Sequence, residues 1–147
     1  MSDSARAIEN LLYTYAERID AGDLDGVAEL FTHARIHGQD GGPPETVFHG
    51  RDGARAMYEM STRLYEDGTP KTKHVTTNAI IEVDEEAATG TCRSYFNVLQ
   101  ATPDLPLQPI IAGRYRDTFH VVDGAWCFES RTIFVDLVGD LSHHLKW

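Results

Sequence analysis

A chain of 147 residues that is 41% hydrophobic and 10% aromatic has the composition of one globular domain, neither disordered nor fibrous. Its 23 acidic residues outnumber the 13 basic ones, giving a net charge of −10. No Lys/Arg cluster interrupts that excess, which excludes the phosphate-neutralising surface of a nucleic-acid binder and any attraction to an anionic membrane.

Residues 4–21 carry Ile8, Leu11, Leu12, Tyr15 and Ile19 at helical spacing, with one apolar face. Gly22 is placed to end that helix and Asp23 to cap a second over 24–31, with Leu24, Val27, Ala28 and Phe31 inward. Short strands are expected at 34–38 and 46–48, on either side of the Gly41-Gly42-Pro43-Pro44 loop. Gly50 and Asp52 open a third helix with Ala54, Met57, Tyr58, Ser61, Leu64 and Tyr65 on its inner face, and Gly68 and Pro70 stop it.

From residue 72 the period changes to two. Val75, Ala79, Ile81 and Val83 alternate with His74, Thr76, Asn78 and Glu82, as in a half-buried strand. Runs near 88–100, 108–122 and 125–137 read as three more long strands. Asp123-Gly124 marks a tight hairpin and Thr102–Pro106 a longer loop. Helices followed by consecutive strands predict a single α+β domain over 1–147, with a curled, largely antiparallel sheet wrapped around its helices and a pocket between them.

No run reaches the roughly 20 apolar residues of a membrane helix. Met1-Ser2-Asp3-Ser4-Ala5-Arg6 has no signal-peptide pattern, so a cytoplasmic location is expected. Cys92 and Cys127 are expected to be reduced and buried. Metal binding fits poorly: the seven histidines are scattered and no His-Glu-x-x-His or paired Cys-x-x-Cys occurs. Phosphate-cradling glycine loops and a nucleophile elbow are missing too. General acid–base chemistry without a cofactor is the simplest catalytic option left.

Two residues could carry it. Asp20 lies at the edge of the first helix's apolar face and in its last turn, where the helix dipole disfavours an anion by about 0.3–1 kcal/mol. It is either a solvated turn residue or a carboxylate placed for a purpose. His74 starts the first long strand, and alternation puts it on the polar face, whereas a curled sheet can turn a strand end toward a cavity. If the two meet, the carboxylate fixes the imidazole tautomer and raises its basicity. Arg131, inside an apolar strand, needs a partner if buried, either an acid or charge developing on a substrate. Arg114 poses the same choice. Tyr15 points inward by periodicity and packs in the core.

The segment from Ile8 to Asp23, with Ala28-Glu29-Leu30-Phe31, Arg93-Ser94-Tyr95-Phe96, Ala112-Gly113-Arg114-Tyr115 and Trp126–Arg131, resembles the SnoaL-like branch of the nuclear transport factor 2-like superfamily. The resemblance implies a cystatin-like cone of curved mixed or antiparallel sheet, closed by three helices around a pocket and usually oligomeric. Within that branch the chain resembles scytalone dehydratase, hexachlorocyclohexane dehydrochlorinase and bile acid 7α-dehydratase. These eliminate water or HCl with an Asp–His pair and no cofactor. The pair falls here on Asp20 and His74, and the accessory tyrosine and arginine of the bile acid enzyme fall on Tyr15 and Arg131. The second histidine of scytalone dehydratase has no counterpart in the stretch holding Arg93, Tyr95 and Asn97. Tyr95, Asn97 and Arg114 are expected to contact substrate.

Two hypotheses follow from this reading. One is a cofactor-free lyase or isomerase acting on a small, largely apolar, cyclic or polyketide-like molecule. The other is a noncatalytic ligand-binding or structural unit, like the β subunit of ring-hydroxylating dioxygenases. An exposed apolar tail from Val135 to Leu141 and on to Leu145 and Trp147 could bury surface in a homodimer or homotrimer.

Overall fold

Residues Ile8, Leu12, Tyr15, Ala16 and Ile19 form the buried stripe of helix α1 (Asp3–Asp20), as their spacing requires. The computed structural model describes residues 3–146. Gly22 ends α1 with a positive φ of 73°, and a Cβ there would lie 1.8 Å from the Gly68 carbonyl oxygen, so glycine is demanded twice over. The Asp23 carboxylate accepts the Gly26 N–H at 2.9 Å and opens helix α2 (Leu24–Glu29). Phe31, just past α2, is fully buried and stacks on Phe128.

Strands β1 (Arg35–His37) and β2 (Val47–His49) follow, then helix α3 (Gly50–Ser61). Spacing alone carries α3 on to Tyr65, but the helix stops sooner. Thr62 closes the last turn onto Tyr58 and then bridges to Leu145, so the backbone after Ser61 is claimed by the C-terminal segment. Four long strands complete the chain: β3 (Thr72–Asp84), β4 (Thr89–Thr102), β5 (Leu105–Val122) and β6 (Ala125–Val138). The expected loop at 102–106 is a two-residue turn, Pro103-Asp104, because Leu105 is buried and draws β5 into the ladder at once. The six strands form one open, curved, mixed sheet in the order β2-β1-β6-β5-β4-β3, with β1 parallel to β6 and the other pairs antiparallel. Cys92 on β4 is buried, and burial pushes its thiol up to about 12. No helix among the described residues is long and apolar enough to cross a membrane.

One irregularity decides which way His74 faces. Thr77 opposes Tyr95 and Ile80 opposes Arg93, so β3 spends three residues where β4 spends two. The extra residue is a β-bulge, and Asn78 within it has a positive φ of 56°. Ala79, Ile81 and Val83 face inward beyond the bulge; before it the inward residues are Thr72, His74 and Thr76. Strict alternation would have buried Val75 and exposed His74. The bulge reverses both, leaving Val75 largely exposed on the outer face. A β-branched residue tolerates positive φ poorly, so Asn78→Val is expected to cost about 1–2 kcal/mol, with Asn78→Gly near neutral, in urea unfolding.

The apolar tail also differs from expectation. Val135, Leu137 and Val138 are exposed, but the chain then turns back and Leu141 packs on the core. Arg63 N–H donates to the His144 carbonyl at 2.8 Å and Lys146 N–H to the Ser61 carbonyl at 3.0 Å, strapping residues 144–146 to the end of α3. Trp147 lies outside the described residues.

Candidate active site

Asp20, the last residue of α1, meets the first turn of β3. Its Oδ1 accepts the Thr72 hydroxyl at 2.9 Å and His74 Nδ1 at 2.7 Å, and its Oδ2 accepts the His74 backbone N–H at 2.8 Å. Three donors offset the poor placement at a helix C-terminus. Burial alone would raise the Asp20 carboxyl, but the hydrogen bonds and charge of His74, with Thr72, hold it below the ordinary carboxylate value. The side chains of His74 and Asp20 are 7% and 10% exposed. With Nδ1 facing the carboxylate, the ring carries its proton there, and Nε2 has no hydrogen-bond partner among the described residues.

Tyr15, five residues before Asp20, sets its ring edge-on to His74, centroids 6.4 Å apart. Its hydroxyl bonds to that of Tyr58 on α3 at 2.7 Å. Arg131 on β6 lies over the Tyr15 ring at 4.4 Å and the Tyr115 ring at 3.6 Å. Asp20, His74, Tyr15 and Arg131, called out from the sequence, therefore lie in one connected group. The rest of that group was missed. Asp117 on β5 takes two hydrogen bonds from Arg131, at 2.8 and 2.9 Å, and both side chains are 0% exposed. Burial opposes the Arg131 charge, but the adjacent carboxylate more than compensates and holds the guanidinium protonated. Burial pushes Asp117 upward while Arg131 pulls it back. Arg131 Nη1 is buried with no partner among the described residues. Burial and neighbouring tyrosines push Tyr58 and Tyr115 well above the usual phenol range, keeping both protonated.

Asp117 was legible in principle, since alternation through Tyr115 and Phe119 places it inward beside an arginine in need of an acid. Tyr58 appeared as a core residue of α3 without its hydroxyl partner. His144 had no periodic pattern around it to signal burial, yet it is 6% exposed and its ring lies 6.2 Å from that of His74.

The sheet's alternation places Tyr95, Asn97 and Arg114, the expected substrate contacts, on its outer face. Ser94, Phe96 and Tyr115 point inward, so these three point outward, across the sheet from the dyad. Arg114 is held by Asp136 at 2.8 and 3.0 Å and lies 4.4 Å over the Phe134 ring. With Ala112, Leu137 and their neighbours they line an outer hollow of about 230 Å³. The open volume that touches the dyad is a different one, a depression of about 500 Å³ edged by Glu17, Thr69 and Lys73 with Asp20 and His74 in its wall.

A model described as a SnoaL-like domain matches residues 1–132. The chain belongs to the SnoaL-like domain family. Among solved structures this SnoaL-like protein is similar to a candidate scytalone dehydratase from Novosphingobium aromaticivorans DSM 12444, at 25% identity and a TM-score of 0.72 over 95% of this chain and 91% of that one. An NTF2-like protein with a cystatin-like fold from Novosphingobium aromaticivorans aligns at 18% identity and a TM-score of 0.73, covering 96% of this chain and 86% of that one. The β subunit of a candidate aromatic-ring-hydroxylating dioxygenase from N. aromaticivorans DSM 12444 aligns at 17% identity and 0.68, covering 91% and 90%. The latter two likenesses show the NTF2-like, cystatin-like fold alone. A search of curated proteins finds no match.

The site carries an acid-stability signature. Burial, then the neighbouring His74, lowers His144 to about 4 from 6.5, with Asp20 opposing. The unfolded chain therefore binds this proton more tightly, so the contribution to stability is complete above pH 6.5 and is lost as pH falls toward 4. Urea unfolding at pH 7 and pH 4.5 should show an acid loss smaller by roughly 2 kcal/mol in His144→Phe than in the wild type.

Proposed function

We propose that this SnoaL-like protein is a cofactor-independent lyase or isomerase in which His74, oriented by Asp20, removes a proton from carbon. The supporting observation is the 2.7 Å contact between His74 Nδ1 and Asp20, largely withdrawn from water and leaving Nε2 available as the base. Proton removal beside a carbonyl builds negative charge on oxygen. Tyr15, its hydroxyl paired with Tyr58 and its ring edge-on to His74 and under the Arg131 cation, steadies that charge. Arg131, already matched by Asp117, acts through Tyr15 as a positioning residue. The Tyr15 and His144 rings beside His74 suit a small cyclic or polyketide-like substrate.

The direct assay is water loss from 3-hydroxy-1-tetralone, whose elimination product tautomerises to 1-naphthol. Catalysed formation of 1-naphthol by wild type supports the proposal. A wild-type rate equal to the buffer rate, for this compound and for other cyclic β-hydroxyketones, rejects elimination.

The second reading is a noncatalytic subunit, favoured by the outer face of the sheet, where Val75, Ile80, Tyr95 and Leu137 are exposed. A second copy of the chain fits that face, with Arg93, Arg114 and Arg116 beside Glu82 and Asp136 giving both signs of charge. Light scattering at micromolar concentration is expected to give at least twice the 16.4 kDa chain mass; the monomer mass would remove the homo-oligomer.

A further inference from the structure

The C-terminal strap brings a second imidazole to the dyad. His144 sits on no helix or strand, yet it is held firmly. Its carbonyl accepts from Arg63, and the neighbouring His143 carbonyl accepts from Gln100 Nε2 at 3.0 Å and from the Tyr65 hydroxyl. Leu145 bridges to Thr62, and Lys146 binds Ser61 through its backbone and the Glu59 carbonyl through Nζ. Anchored on both sides, the ring is held in place beside His74. It lies 6.2 Å from the His74 ring, and its Nδ1 is buried with no hydrogen-bond partner among the described residues. A buried, unpaired ring nitrogen costs free energy unless something visits it. The nearest chemistry for a visitor is at His74.

We propose that His144 is a substrate-contacting residue that hydrogen-bonds the departing oxygen of the molecule deprotonated by His74, so that the leaving group is a hydroxyl. This rests on the reading of His74 as the base, and it selects water elimination over loss of halide. A neutral imidazole offers an N–H donor and a lone pair, which match a hydroxyl in both directions, whereas a halide accepts only weakly. The step balances with the substrate alone. His74 Nε2 takes the proton from carbon, the C–H electrons form the new C=C bond, and the C–O bond breaks with its pair going to oxygen. The proton held by His74 passes to that oxygen, releasing water and restoring neutral His74, while His144 holds the oxygen in reach.

Two rates on each variant test this: water loss from 3-hydroxy-1-tetralone, and exchange of the C2 hydrogens of 1-tetralone in D2O, which needs proton removal but no leaving group. In His144→Phe the ratio of water loss to exchange should fall about 10- to 100-fold relative to wild type, as expected for one hydrogen bond to a charged group. His144→Gln, whose amide both donates and accepts, should recover part of that ratio. Thermal unfolding of both variants confirms that the strap still docks. An unchanged ratio in His144→Phe overturns the assignment and leaves the His74 reading standing. Absence of exchange in wild type removes both.

Discussion

Turnover by His74→Ala is expected to fall about 10²- to 10⁴-fold in the 3-hydroxy-1-tetralone assay, the usual contribution of a positioned general base. Asp20→Asn should lose a comparable factor by a different route. With its one oxygen at the Oδ2 position an asparagine still accepts the His74 backbone N–H, and the Thr72 hydroxyl can accept from its NH2 group, so the join between α1 and β3 survives. Its amide, however, can turn its NH2 group toward Nδ1, which moves the ring proton to Nε2 and removes the lone pair the reaction needs. Steady-state kinetics with circular dichroism as the folding control checks both. His74→Ala or Asp20→Asn turning over within threefold of wild type would reject the residue's role.

The largest stability effect is expected at the Arg131–Asp117 pair. Both side chains are fully buried, and the guanidinium lies over the Tyr15 and Tyr115 rings, with Phe128 at 5.0 Å. Asp117→Ala leaves an uncompensated buried cation and should cost about 3–5 kcal/mol in urea unfolding. Replacing both members, Arg131→Met with Asp117→Leu, removes the charges together and should recover most of that loss. If the double variant is as unstable as Asp117→Ala alone, the cost lies in packing and not in the stranded charge. The folded double variant should still be slowed in catalysis, because Tyr15 loses the cation on its ring.

The helices and the four long strands were readable because each depends on local spacing, and Gly22 and Asp23 behave as turn chemistry predicts. Elsewhere long-range contacts set the outcome. Helix α3 ends at Ser61 because a segment more than eighty residues away takes over its backbone. The facing of His74 was undecidable for a comparable reason, since a period-two pattern cannot show that one residue is extra. Asn78, a residue that tolerates positive φ within a strand, was the available clue. Asp20 and His74 emerged as a pair from their resemblance to a family pattern. Tyr95, Asn97 and Arg114 lie on the outer face because strand alternation, which motif position does not show, sets where each side chain points.

Whether His74 takes a proton from carbon can be measured without knowing the natural substrate. Proton NMR of 1-tetralone in D2O follows loss of the C2 signal with wild type, His74→Ala and Asp20→Asn at equal concentration. Exchange is expected to be enzyme-dependent in wild type and to drop at least a hundredfold in His74→Ala. Exchange at the same rate in His74→Ala and wild type would contradict it.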